Sequence, residues 1–195
     1  MGIHNIAIMA SGKGSNARAV IKYVEQSDDI QVGLLLSNKS TSGIPQIAAD
    51  NDLPYYIFSR QEFADEDFFL GLLEKHNIDF IILAGFLKLI PVYLVRKFHD
   101  RIMNIHPALL PAYGGKGMYG MNIHRAVFAN KEKVSGLTIH LVNENYDEGR
   151  VIFQHEVPVD DCQSADEVGY KILKYEHKFY PEVIVNYIRE FSKVK

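Results

Sequence analysis

Ile3-His4-Asn5-Ile6-Ala7-Ile8-Met9-Ala10-Ser11-Gly12-Lys13-Gly14-Ser15-Asn16 runs from an apolar stretch of strand length, residues 3–9, through a glycine-rich turn into a helical pattern over residues 16–26. Strand, tight turn and helix then recur downstream. Residues 32–36 are strand-like, residues 44–51 helical around Pro45, and residues 55–58 a short strand after Pro54. Residues 61–76 read as one amphipathic helix, and residues 80–84, Phe-Ile-Ile-Leu-Ala, are apolar at every position. Pro91 opens a helix that ends near residue 99, and residues 101–105 give a further strand. Strands apolar on both faces and separated by helices predict an α/β fold, a Rossmann-like, mostly parallel sheet with flanking helices.

Past Gly115 the pattern changes. Residues 137–142 alternate, residues 143–149 form a polar turn and residues 151–157 a second strand, which predicts a C-terminal antiparallel hairpin added to the sheet. Ser164 followed by Glu167 is a capping box opening the last helical region, which Pro181 is expected to break or kink.

The chain has 195 residues, 47% hydrophobic and 23% charged, a size that suits a single domain over residues 1–195. Its 21 basic and 24 acidic side chains are interspersed and sum to −3, so no basic face is available for nucleic acid. Cys162 is the sole cysteine; no internal disulfide or thiolate cluster can form, which fits a reducing, cytoplasmic setting. The first residues lack a basic and apolar leader, and no stretch stays apolar for the roughly 20 residues of a membrane span, so no membrane partner is expected.

The turn over residues 10–16 is the first candidate site. Glycines there let a ligand approach the backbone, and the free N–H groups of a helix start suit a phosphate. The stretch is not a Walker A loop. Gly12, Gly14 and Ala17 fit a dinucleotide fingerprint loosely, but Leu36-Ser37-Asn38-Lys39 offers no carboxylate for a ribose diol, which disfavours NAD and leaves NADP a narrow opening through Lys39. A tight turn with a capped helix is the plain alternative.

The second candidate is Met103-Asn104-Ile105-His106-Pro107-Ala108-Leu109-Leu110-Pro111, at the carboxyl end of an expected strand. Asn104 and His106 are two apart, so an extended chain points both side chains to one side. An amide donor beside an imidazole suits acyl transfer, the amide for an oxyanion and the imidazole for protons; a satisfied polar pair in a turn explains the residues equally well. Asp147, in Asn143-Glu144-Asn145-Tyr146-Asp147-Glu148-Gly149, reads first as turn chemistry.

Four motifs, in order along nearly the whole chain, resemble the phosphoribosylglycinamide formyltransferases. They are Ile8-Met9-Ala10-Ser11-Gly12-Lys13-Gly14-Ser15-Asn16; Leu83-Ala84-Gly85-Phe86-Leu87-Lys88-Leu89-Ile90; Asn104-Ile105-His106-Pro107-Ala108-Leu109-Leu110-Pro111; and Ser135-Gly136-Leu137-Thr138-Ile139-His140 with Asp147-Glu148-Gly149. The resemblance implies transfer of the formyl group of 10-formyltetrahydrofolate, a cosubstrate, to the amine of phosphoribosylglycinamide, with no metal. It implies that Asn104, His106 and Asp147 are catalytic, and that Gly14, Ser15 and Asn16 bind the acceptor's phosphate. Glu176, which the residues alone suggest is a solvated helix position, would hold the ribose. Leu87, Lys88, Leu89 and Ile90 would border the folate ring, Arg60 its acidic tail, and Asn104, Asn143, Glu144, Asn145, Tyr146 and Asp147 would complete the folate pocket.

On this reading Asp147 raises the pKa of His106 and keeps the imidazole charged. Two departures stand out. The loop Ala112-Tyr113-Gly114-Gly115-Lys116-Gly117-Met118-Tyr119-Gly120-Met121-Asn122 is longer than is common in the family, and Lys88 stands where arginine is common. A formyltetrahydrofolate hydrolase, usually with an extra N-terminal domain, and an NADP or nucleotide-binding module are the alternatives. Of the remaining histidines, His140 is the one expected to support the centre; the others are read as surface or structural. The partners expected are small molecules, on a monomer or homodimer.

Overall fold

The computed structural model describes residues 2–193; Met1, the first residue read for a leader, and residues 194–195 of the expected 1–195 domain lie outside the described residues. The opening strand β1 (His4–Met9) has Ile6, Ala7, Ile8 and Met9 all fully buried, as a strand covered on both faces must. It is an interior strand, third in a seven-stranded sheet ordered β3-β2-β1-β4-β5-β6-β7. The other strands are β2 (Ile30–Ser37), β3 (Tyr55–Ile57), β4 (Ile78–Leu83), β5 (Ile102–His106), β6 (Val134–Leu141) and β7 (Val151–Pro158). Pairings are parallel from β3 through β5 and antiparallel from β5 to β7, so the expected hairpin is present and joins the same sheet.

Helices cover both faces. Ile6, Ile8, Phe80 and Ile82 pack with Ala17, Val20 and Ile21 of α1 (Ser15–Val24) and with Ile184 and Ile188 of the last helix, while Ala7, Met9, Ile81 and Leu83 meet the other layer. Besides α1 the helices are α2 (Ile44–Asp50), α3 (Arg60–Ala64), α4 (Glu66–Lys75), α5 (Val92–Lys97), α6 (Met121–Ala129) and α7 (Ala165–Lys193). Each fully buried Ile or Leu contributes about 1.5–3 kcal/mol by leaving water, so the two layers dominate the fold's stability. Among the described residues no helix is long and apolar enough to cross a membrane.

Two helical expectations need correction. The single helix over residues 61–76 is two, α3 and α4, because Asp65 is extended at φ −87°, ψ 105° and its carboxylate accepts from the Phe68 N–H, starting a new helix. Ser59 and Glu62 form a full capping box at α3. The break at Pro181 does not occur: α7 continues through it to Lys193, held by the buried side chains of Tyr180, Ile184, Val185 and Ile188. At the start of α7, Ser164 Oγ accepts from the Glu167 N–H as expected, but the Glu167 carboxylate accepts from the Gln163 N–H, one residue earlier than a capping box requires.

Strand order reverses direction on either side of β1, which pairs with β2 on one side and β4 on the other. That switch point opens a crevice at the carboxyl ends of the strands, where ligands bind in open α/β sheets.

Candidate active site

Three strand ends meet at this crevice. At the end of β1, Gly14 takes φ 76°, and a side chain there would strike Ile47 of α2; glycine alone meets both demands. The turn leads into α1 with no side-chain cap, leaving the first N–H groups free to meet an anion. Asn16, in the first turn, is buried and donates from Nδ2 to Glu176 Oε2 of α7 at 2.7 Å, while its Oδ1 has no partner. Glu176 is only 6% exposed, which corrects the reading of a solvated helix residue. Burial pushes its carboxyl pKa up, against a smaller downward pull from the Asn16 amide.

At the end of β4, Leu87, Lys88 and Leu89 are exposed, whereas Ile90 turns into the core beside Phe86 and Leu94. Arg60 is exposed at the first position of α3.

At the end of β5, Asn104 and His106 extend to the same side as the two-residue spacing predicts, opposite His140 and Thr138 of β6. Fully buried Thr138 fastens the following loop: its hydroxyl donates to Ala108 O at 2.7 Å and accepts from Leu110 N at 3.0 Å. The turn carrying Asp147 closes tightly enough that a side chain on Gly149 would overlap the Leu141 carbonyl. Asp147 itself sits at φ 57°, a conformation aspartate tolerates better than most residues.

These pieces bring Asp147 Oδ1 within 3.5 Å of His106 Nδ1 and 3.6 Å of His140 Nε2, while its Oδ2 accepts from the Gly115 N–H at 2.9 Å. His140 Nδ1 is 2.8 Å from the Leu141 carbonyl, so it carries the proton and Nε2 is left to accept from Asn104 Nδ2 at 3.1 Å. That uses one N–H of the Asn104 amide and leaves the other for a ligand. His106 Nε2 is 2.8 Å from the Tyr113 carbonyl. Both nitrogens of His106 therefore face acceptors.

Burial nonetheless lowers the His106 pKa, outweighing the upward pull of Asp147 and of the Tyr113 carbonyl, with His140 adding a smaller downward push. The expectation that Asp147 would raise the net pKa is thus corrected: its effect has that sign but is smaller than desolvation. Burial also acts upward on the Asp147 carboxyl, yet the neighbouring His140 and His106 imidazoles and the Gly115 N–H together bring its pKa below the ordinary carboxylate value. Asn143 is half-buried and Glu144, Asn145 and Tyr146 are exposed on the same turn.

Several participants escaped the sequence. The Tyr113 carbonyl and Gly115 N–H act through the backbone, which side-chain patterns do not reveal, although the run of glycines marked the loop. His124 of α6, read as surface or structural, is buried with Nδ1 unpartnered; burial, aided by His106, pushes its pKa down to about 4.

Comparison with known proteins identifies the family. Residues 4–184 match the formyl transferase family model. The chain is 42% identical over 184 residues to the chloroplastic phosphoribosylglycinamide formyltransferase of Vigna unguiculata, covering 92% of this chain and 59% of that one. It is 33% identical over 183 residues to the phosphoribosylglycinamide formyltransferase of Bacillus subtilis (strain 168), covering 91% of each. The chain thus spans 59% and 63% of the length of two plant relatives and nearly all of the bacterial one. Among solved structures, the phosphoribosylglycinamide formyltransferase of Brucella melitensis aligns with a TM-score of 0.83 at 32% identity, over 93% of this chain and 94% of that one. A family match across residues 4–184, together with a bacterial relative aligned over nine-tenths of both chains, means that this chain belongs to the formyl transferase family.

Proposed function

We propose that the chain transfers the formyl group of 10-formyltetrahydrofolate to the amine of 5-phosphoribosylglycinamide, a step of purine biosynthesis. The observation that carries this reading is the meeting, at one crevice, of an uncapped helix start at Ser15 and Asn16 with the cluster of Asn104, His106, His140 and Asp147. The names of the relatives support the same substrates.

In the reaction, the neutral amine attacks the formyl carbon; a C–N bond forms and the carbonyl π pair moves to oxygen. Asn104 stabilises the resulting oxyanion through its second N–H. His106 is favoured as imidazolium once negative charge develops beside it, with Asp147 as counterion. Its Nε2 reaches the oxyanion by exchanging the bond to the Tyr113 carbonyl for one to substrate. Collapse reforms C=O and breaks the bond from the formyl carbon to the folate nitrogen. The proton lost by the amine returns to that nitrogen through His106 or water. Holding both substrates at neighbouring sites makes the encounter nearly unimolecular.

The remaining roles are assigned from the resemblance to the formyltransferases. Gly14, Ser15 and Asn16 hold phosphate and Glu176 the ribose. Leu87, Lys88 and Leu89, backed by Ile90, border the folate ring. Arg60 draws the acidic tail, and Asn143, Glu144, Asn145 and Tyr146 line the pocket beside Asp147. The setting we infer is cytoplasmic, consistent with a lone Cys162, and the protein acts on small molecules as a monomer or homodimer. The test is deformylation of 10-formyltetrahydrofolate followed by absorbance. Release that depends on phosphoribosylglycinamide supports transfer, whereas equal release without it marks a hydrolase and contradicts the proposal.

A further inference from the structure

The stretch between β4 and α5 has no regular hydrogen-bonded structure, so its shape depends on what pins it. Two anchors are evident. At its far end Ile90 is buried, 3% exposed, in the core. At its near end the Leu87 N–H donates to the hydroxyl of Ser11 at 3.1 Å, across 76 residues of sequence. Leu87, Lys88 and Leu89 lie exposed between these anchors.

Ser11 is well placed to act as the fixed end. It follows the interior strand β1, its side chain is almost wholly buried, and its own N–H donates to the Gly85 carbonyl at 3.1 Å. Its hydroxyl proton is committed, since Oγ donates to Asn38 Oδ1 beyond β2 at 2.7 Å. With the proton directed there, an oxygen lone pair is left for Leu87. One hydroxyl thus ties together the loops that follow β1, β2 and β4. With its proton given to Asn38 and a lone pair given to Leu87, the hydroxyl acts through the Leu87 backbone.

We propose that Ser11 is a positioning residue for the formyl-donor site, its hydroxyl fixing the Leu87 backbone at the start of the segment that borders the donor's flat ring. The proposal rests on the functional reading above. Loss of the hydroxyl frees the near end of the segment and weakens donor binding in ground state and transition state alike, which raises KM for the donor more than it changes kcat. The phosphate turn keeps its own anchors, Gly43 N–H to Gly12 O at 2.9 Å among them, so the acceptor's KM is affected less.

The experiment compares wild type, Ser11→Ala, Asn38→Ala and Asn38→Asp in steady-state kinetics and in amide hydrogen exchange of the ligand-free protein. Ser11→Ala is expected to raise donor KM about tenfold and to speed exchange of the Leu87 amide by a similar factor, the size of one hydrogen bond. The acceptor KM should move less than about twofold. Asn38→Asp, which keeps the acceptor for the Ser11 proton, should resemble wild type, and Asn38→Ala should share part of the Ser11→Ala defect. If wild type transfers formyl groups while Ser11→Ala has an unchanged donor KM, or raises both KM values equally, the Ser11 proposal is overturned and the functional reading stands. If Ser11→Ala fails to fold, Asn38→Ala against Asn38→Asp decides the matter by the same KM and exchange comparison. A wild type inert toward formyl-folate overturns the functional reading and the donor-site role with it.

Discussion

Nδ1 of His106 lies 3.5 Å from Oδ1 of Asp147, and both side chains are nearly enclosed, at 5% and 12% exposure. The same oxygen is 3.6 Å from His140 Nε2, so one carboxylate faces two imidazoles. The pair forms only because β5 ends at His106 and the turn after β6 folds Asp147 back over it. In a site this enclosed, Asp147 is the group that lets His106 accept a second proton despite desolvation.

Removing that charge has a predictable sign. Asp147→Asn leaves burial to act on His106 with less opposition, so the apparent pKa in the pH profile of kcat/KM moves to lower pH and turnover falls about 10²-fold. Circular dichroism should show the fold retained. An unchanged profile would take Asp147 out of this role.

His106 carries the larger share. His106→Asn keeps a polar side chain of smaller size but cannot cycle a proton, and turnover should drop by about 10²–10⁴-fold. Single-turnover measurement separates this loss from substrate binding. Near-normal turnover would contradict the proposed proton path.

His124 gives a stability prediction. Its pKa falls from 6.5 in the unfolded chain to about 4 in the folded protein, so the unfolded state binds the proton more readily across that window. Stability should therefore decline as pH drops from 6.5 toward 4, by up to about 3 kcal/mol, and remain unaffected by this group above that range. His124→Gln should flatten the pH dependence of urea unfolding in the same window. An equal slope in both proteins would show that His124 is not the responsible group.

Glu176 acts in the opposite direction. Its raised pKa means the folded protein holds a proton that the unfolded chain releases, so this group costs stability as pH rises above the ordinary carboxylate range. Glu176→Gln is expected to raise Tm of the ligand-free protein at pH 8 and to raise KM for phosphoribosylglycinamide about tenfold, because an amide offers the ribose hydroxyls one acceptor oxygen where a carboxyl group offers two. A lower Tm with unchanged KM would refute both parts.

Much of this was legible before any coordinates. The apolar runs at residues 3–9 and 80–84 announced buried strands, and the spacing of Asn104 and His106 correctly put both on one side of a strand. What failed has local causes. Asp65 looked like one more polar helix position, yet its carboxylate caps a new helix. Glu176 looked solvated because nothing in α7 alone shows that Asn16, 160 residues away, lies over it. The balance on His106 is not legible in a sequence, which displays the charge of Asp147 but not the depth at which the ring is buried.

The most direct measurement follows the formyl carbon itself. Protein incubated with 10-formyltetrahydrofolate carrying an isotopically labelled formyl group, and with phosphoribosylglycinamide, is sampled by mass spectrometry. The account predicts that label leaves the folate and appears on the acceptor amine in equal amount, and that His106→Asn slows both together. Label released as formate, or retained on the folate, would contradict it.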